Sequence, residues 1–152
     1  MAKILLLSGP NLNLLGERDP AHYGTTTLGE LVAIAQETAA KLGYDVEHVQ
    51  SNHEGDLIDA IHGARGRCAA IVINAGAFTH YAYALTDALE TFDGVKIEVH
   101  LSNPGAREEW RHTSVIAPVV DGSITGLRAD GYRLAIEAVA SLLPEGVKEE
   151  HA

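Results

Sequence analysis

The sequence predicts an α/β fold built on a parallel β-sheet, and three observations carry that expectation. Apolar runs bounded by turn residues, such as Lys3–Ser8 and Ala69–Asn74, read as strands buried on both faces. Between the runs lie segments with apolar residues at helical spacing, opened by capping signals and closed by glycine. The two kinds alternate along the chain without an internal repeat or a low-complexity linker, and strand–helix alternation is the pattern of a parallel sheet.

The elements follow in order. The first strand is Lys3–Ser8, and a long loop punctuated by glycine runs from Gly9 to Thr26. A capping box, Thr27-x-x-Glu30, opens the first helix. Leu28, Leu31, Ile34, Ala35 and Leu42 share its inner face, and Gly43 ends it. The second strand is Asp45–Gln50. A second capping box, Ser51-x-x-Glu54, is expected to open a short helix carrying Leu57, Ile58 and Ile61. The third strand is Ala69–Asn74, the next helix Tyr81–Phe92 and the fourth strand Val95–Leu101. Pro104 and Gly105 interrupt the pattern before a helical turn near Arg107–Arg111. A short fifth strand at Ser123–Leu127 and a helix at Asp130–Leu143 complete the chain, and residues 143–152 are expected to fray. Five strands with helical crossovers imply a flavodoxin-like three-layer sandwich of sheet order 2-1-3-4-5. Residues 1–152 are read as a single catalytic domain.

Composition excludes several function classes. A chain of 152 residues can bury a core in one domain. Its formal net charge of -10 repels phosphate backbones, so no nucleic-acid partner is expected. Cys68 is the lone cysteine, which rules out an intrachain disulfide and suits a reducing compartment. The apolar start, Met1–Leu7, is too short for a signal peptide or a membrane span, so the expected location is the cytoplasm. No Gly-x-Gly-x-x-Gly follows the first strand, and neither a P-loop nor a Gly-x-Ser-x-Gly elbow occurs. The strand ends read Ser8-Gly9-Pro10 and Asn74-Ala75-Gly76, without the carboxylates of a phospho-receiver. None of Lys3, Lys41, Lys96 and Lys148 is placed for a Schiff base in a strand-end cleft. The histidines form no His-x-x-x-His helix pair and have no cysteine cluster, so neither a metal nor a cofactor is expected.

In such sheets ligands bind beyond the carboxyl ends of the strands, where the strand order reverses. The candidates there are Asn11, Asn13, Arg18 and Tyr23 after the first strand. Asn74 and His80 follow the third, and Glu98, His100, Ser102 and Asn103 close the fourth. Glu98 and His100 stand two apart and share a strand face. Glu98 can therefore hold one imidazole nitrogen and favour a general acid, or the two form a structural pair within the sheet. Arg18 and Tyr23 lie between Gly16 and Gly24, which suits a mobile lid. A cation beside a phenol favours the phenolate, so Tyr23 is a candidate base; otherwise it is a surface aromatic. Asn11 or Asn13 can donate to a developing oxyanion, and either also suits a turn. Arg107 or Arg111 can grip a carboxylate. Arg107 has Glu98, Glu108 and Glu109 as competing partners, so Arg111 is preferred. A base, an acid, an oxyanion donor and a clamp suit proton abstraction beside a carbonyl, followed by loss of water or isomerisation. A non-enzymatic flavodoxin-like binding module, a metal-dependent hydrolase or lyase, and a Schiff-base dehydratase are the competing readings.

The motifs resemble those of type II 3-dehydroquinate dehydratases. Gly9-Pro10-Asn11-Leu12-Asn13-Leu14-Leu15-Gly16-x-Arg18 carries the likeness, with Tyr23-Gly24. So do Ile73-Asn74-Ala75-Gly76-Ala77-Phe78-Thr79-His80, Asp87-Ala88-Leu89, Glu98-Val99-His100-Leu101-Ser102-Asn103, and Ala106 to His112. The resemblance spans about Lys3 to Leu143. It implies a metal- and cofactor-independent hydro-lyase that converts 3-dehydroquinate to 3-dehydroshikimate through an enolate. That step serves the shikimate pathway of aromatic amino acid biosynthesis, or quinate breakdown. By resemblance Tyr23 takes the C2 proton, Arg18 supports its charge, and Asn11 holds the enolate through a water. His100, oriented by Glu98, protonates the departing C1 hydroxyl. Asn74, His80, Asp87, Leu101, Ser102 and Arg111 look like substrate contacts. The family's homododecamer of trimers, with Asp87 reaching a neighbour's site, is implied in the same way. The chain departs from the family at Ala75, where proline is usual, and at Trp110, where phenylalanine is common.

Overall fold

The structure is a computed structural model describing residues 1–145 and Val147. Its sheet joins β1 (Ala2–Ser8), β2 (Tyr44–Gln50), β3 (Ala70–Asn74), β4 (Val95–His100) and β5 (Gly122–Thr125). All neighbouring strands pair in parallel, in the order β2-β1-β3-β4-β5. The helices are α1 (Pro20–Tyr23), α2 (Leu28–Leu42), α3 (Glu54–Ala64), α4 (Tyr83–Glu90) and α5 (Asp130–Leu142). Sheet order and layering agree with the sequence reading, and strand ends move by a residue or two. The fraying expected over 143–152 falls mostly outside the described residues.

Alternation along the central strands splits the core in two. Ile4 and Leu6 of β1, Val72 of β3 and Ile97 and Val99 of β4 pack beneath α2 and α5. Leu5 and Leu7 of β1 and Ile71 and Ile73 of β3 point the other way, beneath α3 and α4. Both faces are covered, which is why these strands read as unbroken apolar runs. Glu98 and His100 share the α3–α4 side of β4 by the same alternation.

The first capping box forms as expected. Glu30 N–H donates to Thr27 Oγ1 at 3.2 Å, and Gly43 closes α2 in the left-handed region at φ 89°. The second does not form. His53 is the N-cap of α3, and Ser51 lies outside the helix, accepting from His53 N–H and donating to Asp56 Oδ2. Glu54 turns away and accepts the Leu85 N–H at 3.1 Å. It thereby serves the first turn of α4, whose own N-cap, Ala82, has no side-chain acceptor. Two other expectations change. The loop from Gly9 to Thr26 contains α1, capped by Asp19 with Pro20 in its first turn. The helix expected from Tyr81 starts at Tyr83, after a 3₁₀ turn over Gly76–His80.

The loops after β1 and β3 touch. Gly9 N–H donates to the Asn74 carbonyl at 2.8 Å. A Cβ on Gly9 would lie 2.3 Å from the Ala75 carbonyl oxygen, so only glycine permits this approach. Ala75 is buried with φ -79° and ψ 0°, a backbone that proline also adopts, so the loop keeps its shape without the proline usual in the family.

Candidate active site

A cleft opens at the carboxyl ends of β1, β3 and β4, where the strand order reverses. Asn11, Arg18, Tyr23, Asn74, His80, His100, Leu101, Ser102 and Arg111 all line it, together with Arg107. Asn13 lies along a different groove, beside His48. Asn11 therefore takes the place left open between the two. Its backbone is left-handed at φ 68°, a conformation asparagine tolerates, and its N–H is held by Asn52 Oδ1 at 3.0 Å.

The Arg18–Tyr23 side is electropositive. Arg18 Nη2 donates to Tyr23 Oη at 2.9 Å, and its Cζ lies 4.0 Å from the ring centroid. The Arg107 Cζ lies 5.0 Å from the same centroid. Two guanidinium groups thus stand against one phenol ring. Arg107 is largely buried, and its Nε has no hydrogen-bond partner among the described residues. Its Nη1 donates to Ser102 Oγ at 3.4 Å, and Glu108 Oε1 lies 3.9 Å from Nε, beyond hydrogen-bond reach. Arg111, preferred from the sequence, is instead engaged: its Nε donates to Glu108 Oε2 at 2.7 Å. Its Cζ also stacks 4.0 Å over the Trp110 ring, against which His80 packs edge-on. Glu108, weighed from the sequence as a partner for Arg107, makes its short contact with Arg111 and only a 3.9 Å one with Arg107.

The His100 side is a hydrogen-bonded relay. His100 Nε2 lies 2.6 Å from Glu98 Oε2. A carboxylate accepts, so Nε2 carries the hydrogen and Nδ1 is left for the cleft. Glu98 is 2 % exposed and takes two further donors, Ser114 Oγ at 2.9 Å and Ser123 Oγ at 3.1 Å. Ser114 Oγ itself accepts the Ala117 N–H, which turns its hydroxyl proton toward Glu98. Burial pushes the Glu98 carboxyl up. The hydrogen bond and charge of His100 and the two serine hydroxyls outweigh that and hold it below its ordinary value. Neither serine was singled out from the sequence, since no spacing rule links them to Glu98.

Two more side chains are oriented from behind. Asn74 Oδ1 accepts the Gly76 N–H, and its Nδ2 donates to the buried Tyr132 hydroxyl at 3.1 Å, leaving one amide hydrogen free to turn toward the cleft. His80 Nδ1 lies 2.8 Å from the Thr113 carbonyl, which can only accept, so its Nε2 is an acceptor in the neutral ring. Burial, the largest influence, lowers its pKa and favours that neutral form. Asp87 is exposed on α4 and does not line this cleft. Among the described residues, no group of three or more His, Cys, Asp or Glu side chains is placed to hold a metal ion. No helix among them is long and apolar enough to cross a membrane.

Fold and site together define a flavodoxin-like α/β protein with a polar cleft at the strand ends, between the Tyr23 segment and the end of β4. The chain belongs to the class II dehydroquinase family, whose model, Dehydroquinase class II, matches residues 2–140. It is 56% identical over 136 residues to a 3-dehydroquinate dehydratase of Bacillus licheniformis, covering 90% of this chain and 94% of the relative. The 3-dehydroquinate dehydratase of Ruegeria pomeroyi is 52% identical over 149 residues, covering 97% of this chain and all of the relative. The crystal structure of a type II dehydroquinase from Butyrivibrio crossotus superposes with a TM-score of 0.88 at 46% identity. It covers 91% of this chain and 97% of its own.

Proposed function

We propose that the chain is a 3-dehydroquinate dehydratase that eliminates water from 3-dehydroquinate to give 3-dehydroshikimate, with Tyr23 as base and His100 as acid. The observation that carries the assignment of roles is the pairing of each group with its own electrostatic support. Tyr23 Oη accepts from Arg18, and His100 donates to Glu98. The Tyr23 oxygen takes the proton from C2, and the C2–H electron pair forms the enolate with the C3 carbonyl. Asn11, at the cleft mouth, stabilises that oxyanion. The enolate electrons then form the C1–C2 double bond as the C1–O bond breaks, and His100 Nδ1 delivers its proton to the departing hydroxyl. Water leaves, and one proton returns from Tyr23 to His100 through solvent before the next turnover.

Asn74, His80, Ser102, the Leu101 segment and Arg111 bind the hydroxyl and carboxylate groups of the substrate. Arg107 joins them as a cation short of an acceptor. We place the chain in the cytoplasm, in keeping with its single buried cysteine, and in the shikimate pathway. We further read it as a homo-oligomer, a dodecamer of trimers. Asp87, Tyr81 and Tyr83 are exposed close together in sequence at and before α4, and a neighbouring subunit would cover them.

The test is the rise of 3-dehydroshikimate absorbance with purified variants. Tyr23→Phe and His100→Ala should each lower kcat by about 10²- to 10⁴-fold, the usual share of a general base or acid. Full activity in both variants overturns the assignment.

A further inference from the structure

Arg128 follows β5 and stands 107 and 108 residues from the carbonyls it holds. Its Nη1 donates to Pro20 O at 3.1 Å and its Nη2 to Ala21 O at 3.3 Å. Both acceptors belong to α1, the short helix that ends at Tyr23. Every other hydrogen bond of residues 18–24 stays local. His22 and Tyr23 donate to Asp19 O, Gly24 to Pro20 O, Ala21 to Asp19 Oδ1, and Arg18 to Tyr23. Among the described residues, Arg128 therefore makes the only hydrogen bonds that tie this segment to a distant part of the chain. No carboxylate pairs with its guanidinium among those residues.

Its backbone is equally specific. Arg128 adopts φ 52°, and with Asn11 it is one of the two non-glycine residues of positive φ among the described residues. That conformation is rare for a long side chain and persists only where surrounding contacts fix it. Here Arg128 N–H donates to Leu101 O at 3.0 Å, and Gly126 N–H to His100 O at 3.3 Å. The turn is thus anchored on the end of β4, beside His100. Gly24 completes the fit: a Cβ there would lie 3.5 Å from Arg128 Nη1, and its φ of 74° lets the chain turn beneath the guanidinium.

We propose that Arg128 is a positioning residue, a latch that fastens the Tyr23-bearing segment to the His100 strand end and so sets base against acid. This rests on the reading of Tyr23 as base, but the latch itself has a readout independent of turnover. With the latch in place the closed segment is already ordered in the free protein. Without it, bound substrate must supply that ordering, which weakens apparent binding and leaves the filled site unaltered.

The decisive variant is Arg128→Gly. Glycine removes the guanidinium and also suits the positive φ, so thermal stability stays level or rises. Hydrogen exchange at the amides of His22, Tyr23 and Gly24 should quicken about ten-fold, the factor expected for one exposed charge-assisted contact. KM for 3-dehydroquinate should rise by a similar factor with kcat changed less than about two-fold. Arg128→Lys, with one ammonium in place of the fork, should restore part of both effects. Unchanged exchange in the 18–24 segment of Arg128→Gly overturns the latch. So does exchange quickened throughout the chain, which would make Arg128 a residue of general stability, and so does quickened exchange with unaltered KM. Failure of the catalytic reading is distinct: it shows as full turnover in Tyr23→Phe, whatever the exchange result.

Discussion

Replacing Tyr132 with phenylalanine should destabilise the protein at neutral pH and lose that effect in strong alkali. Tyr132 is fully buried on α5, and its hydroxyl accepts from Asn74 Nδ2 at 3.1 Å. Removing the hydroxyl leaves a buried amide hydrogen without an acceptor, at a cost of about 1–3 kcal/mol. In alkali a second effect opposes it. Burial pushes the Tyr132 phenol up from 10.0 to about 12, against a smaller lowering by Asn74. The folded-state value lies above the unfolded one, so its contribution is whole below about pH 10 and fades as pH rises through 12. Across that interval the fold loses about 2.7 kcal/mol, at about 1.36 kcal/mol per pH unit. Phenylalanine has no such loss. The two stability curves should therefore converge near pH 11 to 12. Urea unfolding followed by far-UV circular dichroism, at fixed protein concentration and at steps from pH 7 to 12, measures the difference. All other groups titrate alike in both proteins, so the difference isolates one phenol. A difference that stays flat over that range refutes the reasoning. A rise in KM for 3-dehydroquinate at neutral pH should accompany the variant, since Asn74 loses one of the two bonds that orient it in the cleft.

Ser114→Ala removes one of the donors that hold Glu98 as a carboxylate and should cost about 1.5 kcal/mol of stability at pH 7. Glu98 lies below its ordinary value, so that stability is present above about pH 4.5 and fades as pH falls. Wild type and variant should converge in acid, and the carboxyl ¹³C titration midpoint of Glu98 should move up. An unmoved midpoint contradicts the relay. Ala75→Pro should raise stability by about 0.4–1 kcal/mol through the unfolded chain, because φ is already -79° and Asn74 before it is extended. Calorimetry should show a melting temperature higher by about 1–3 °C. A fall would mean that the ring meets a neighbour.

Much of this architecture was legible because the relevant interactions are local or periodic. β1 and β3 are covered on both faces, so their apolar runs mark them plainly. Glu98 and His100 are two apart on a strand, so their pairing follows from alternation alone. Thr27 and Glu30 sit within one helical turn. The parts that were not legible depend on where distant segments arrive. Ser51 and Glu54 have the spacing of a capping box, yet Glu54 meets Leu85 across 31 residues. Ser114 and Ser123 reach Glu98 from 16 and 25 residues away, with nothing in their own surroundings to mark them. The α1 helix is a different case. Asp19 before Pro20 is itself an N-terminal signal, and reading it would have placed Tyr23 on a helix rather than in an open loop.

The same distinction governs charge. A formal net charge of -10 describes the whole molecule and argues against polyanionic partners. It says nothing of the cleft, whose walls carry Arg18, Arg107, Arg111, His80 and His100 and, among the described residues, no carboxylate. Glu98 stands behind His100 and is consumed by three donors, so it does not neutralise that field. Arg107 carries the consequence furthest. Its guanidinium is largely buried, and among the described residues its Nε has no hydrogen-bond partner. On the proposed roles, the guanidinium groups beside Tyr23 also suit an anionic substrate, and one cluster serves both recognition and chemistry. Composition averages that cluster away, whereas the fold gathers it from the loop after β1 and the loop after β4.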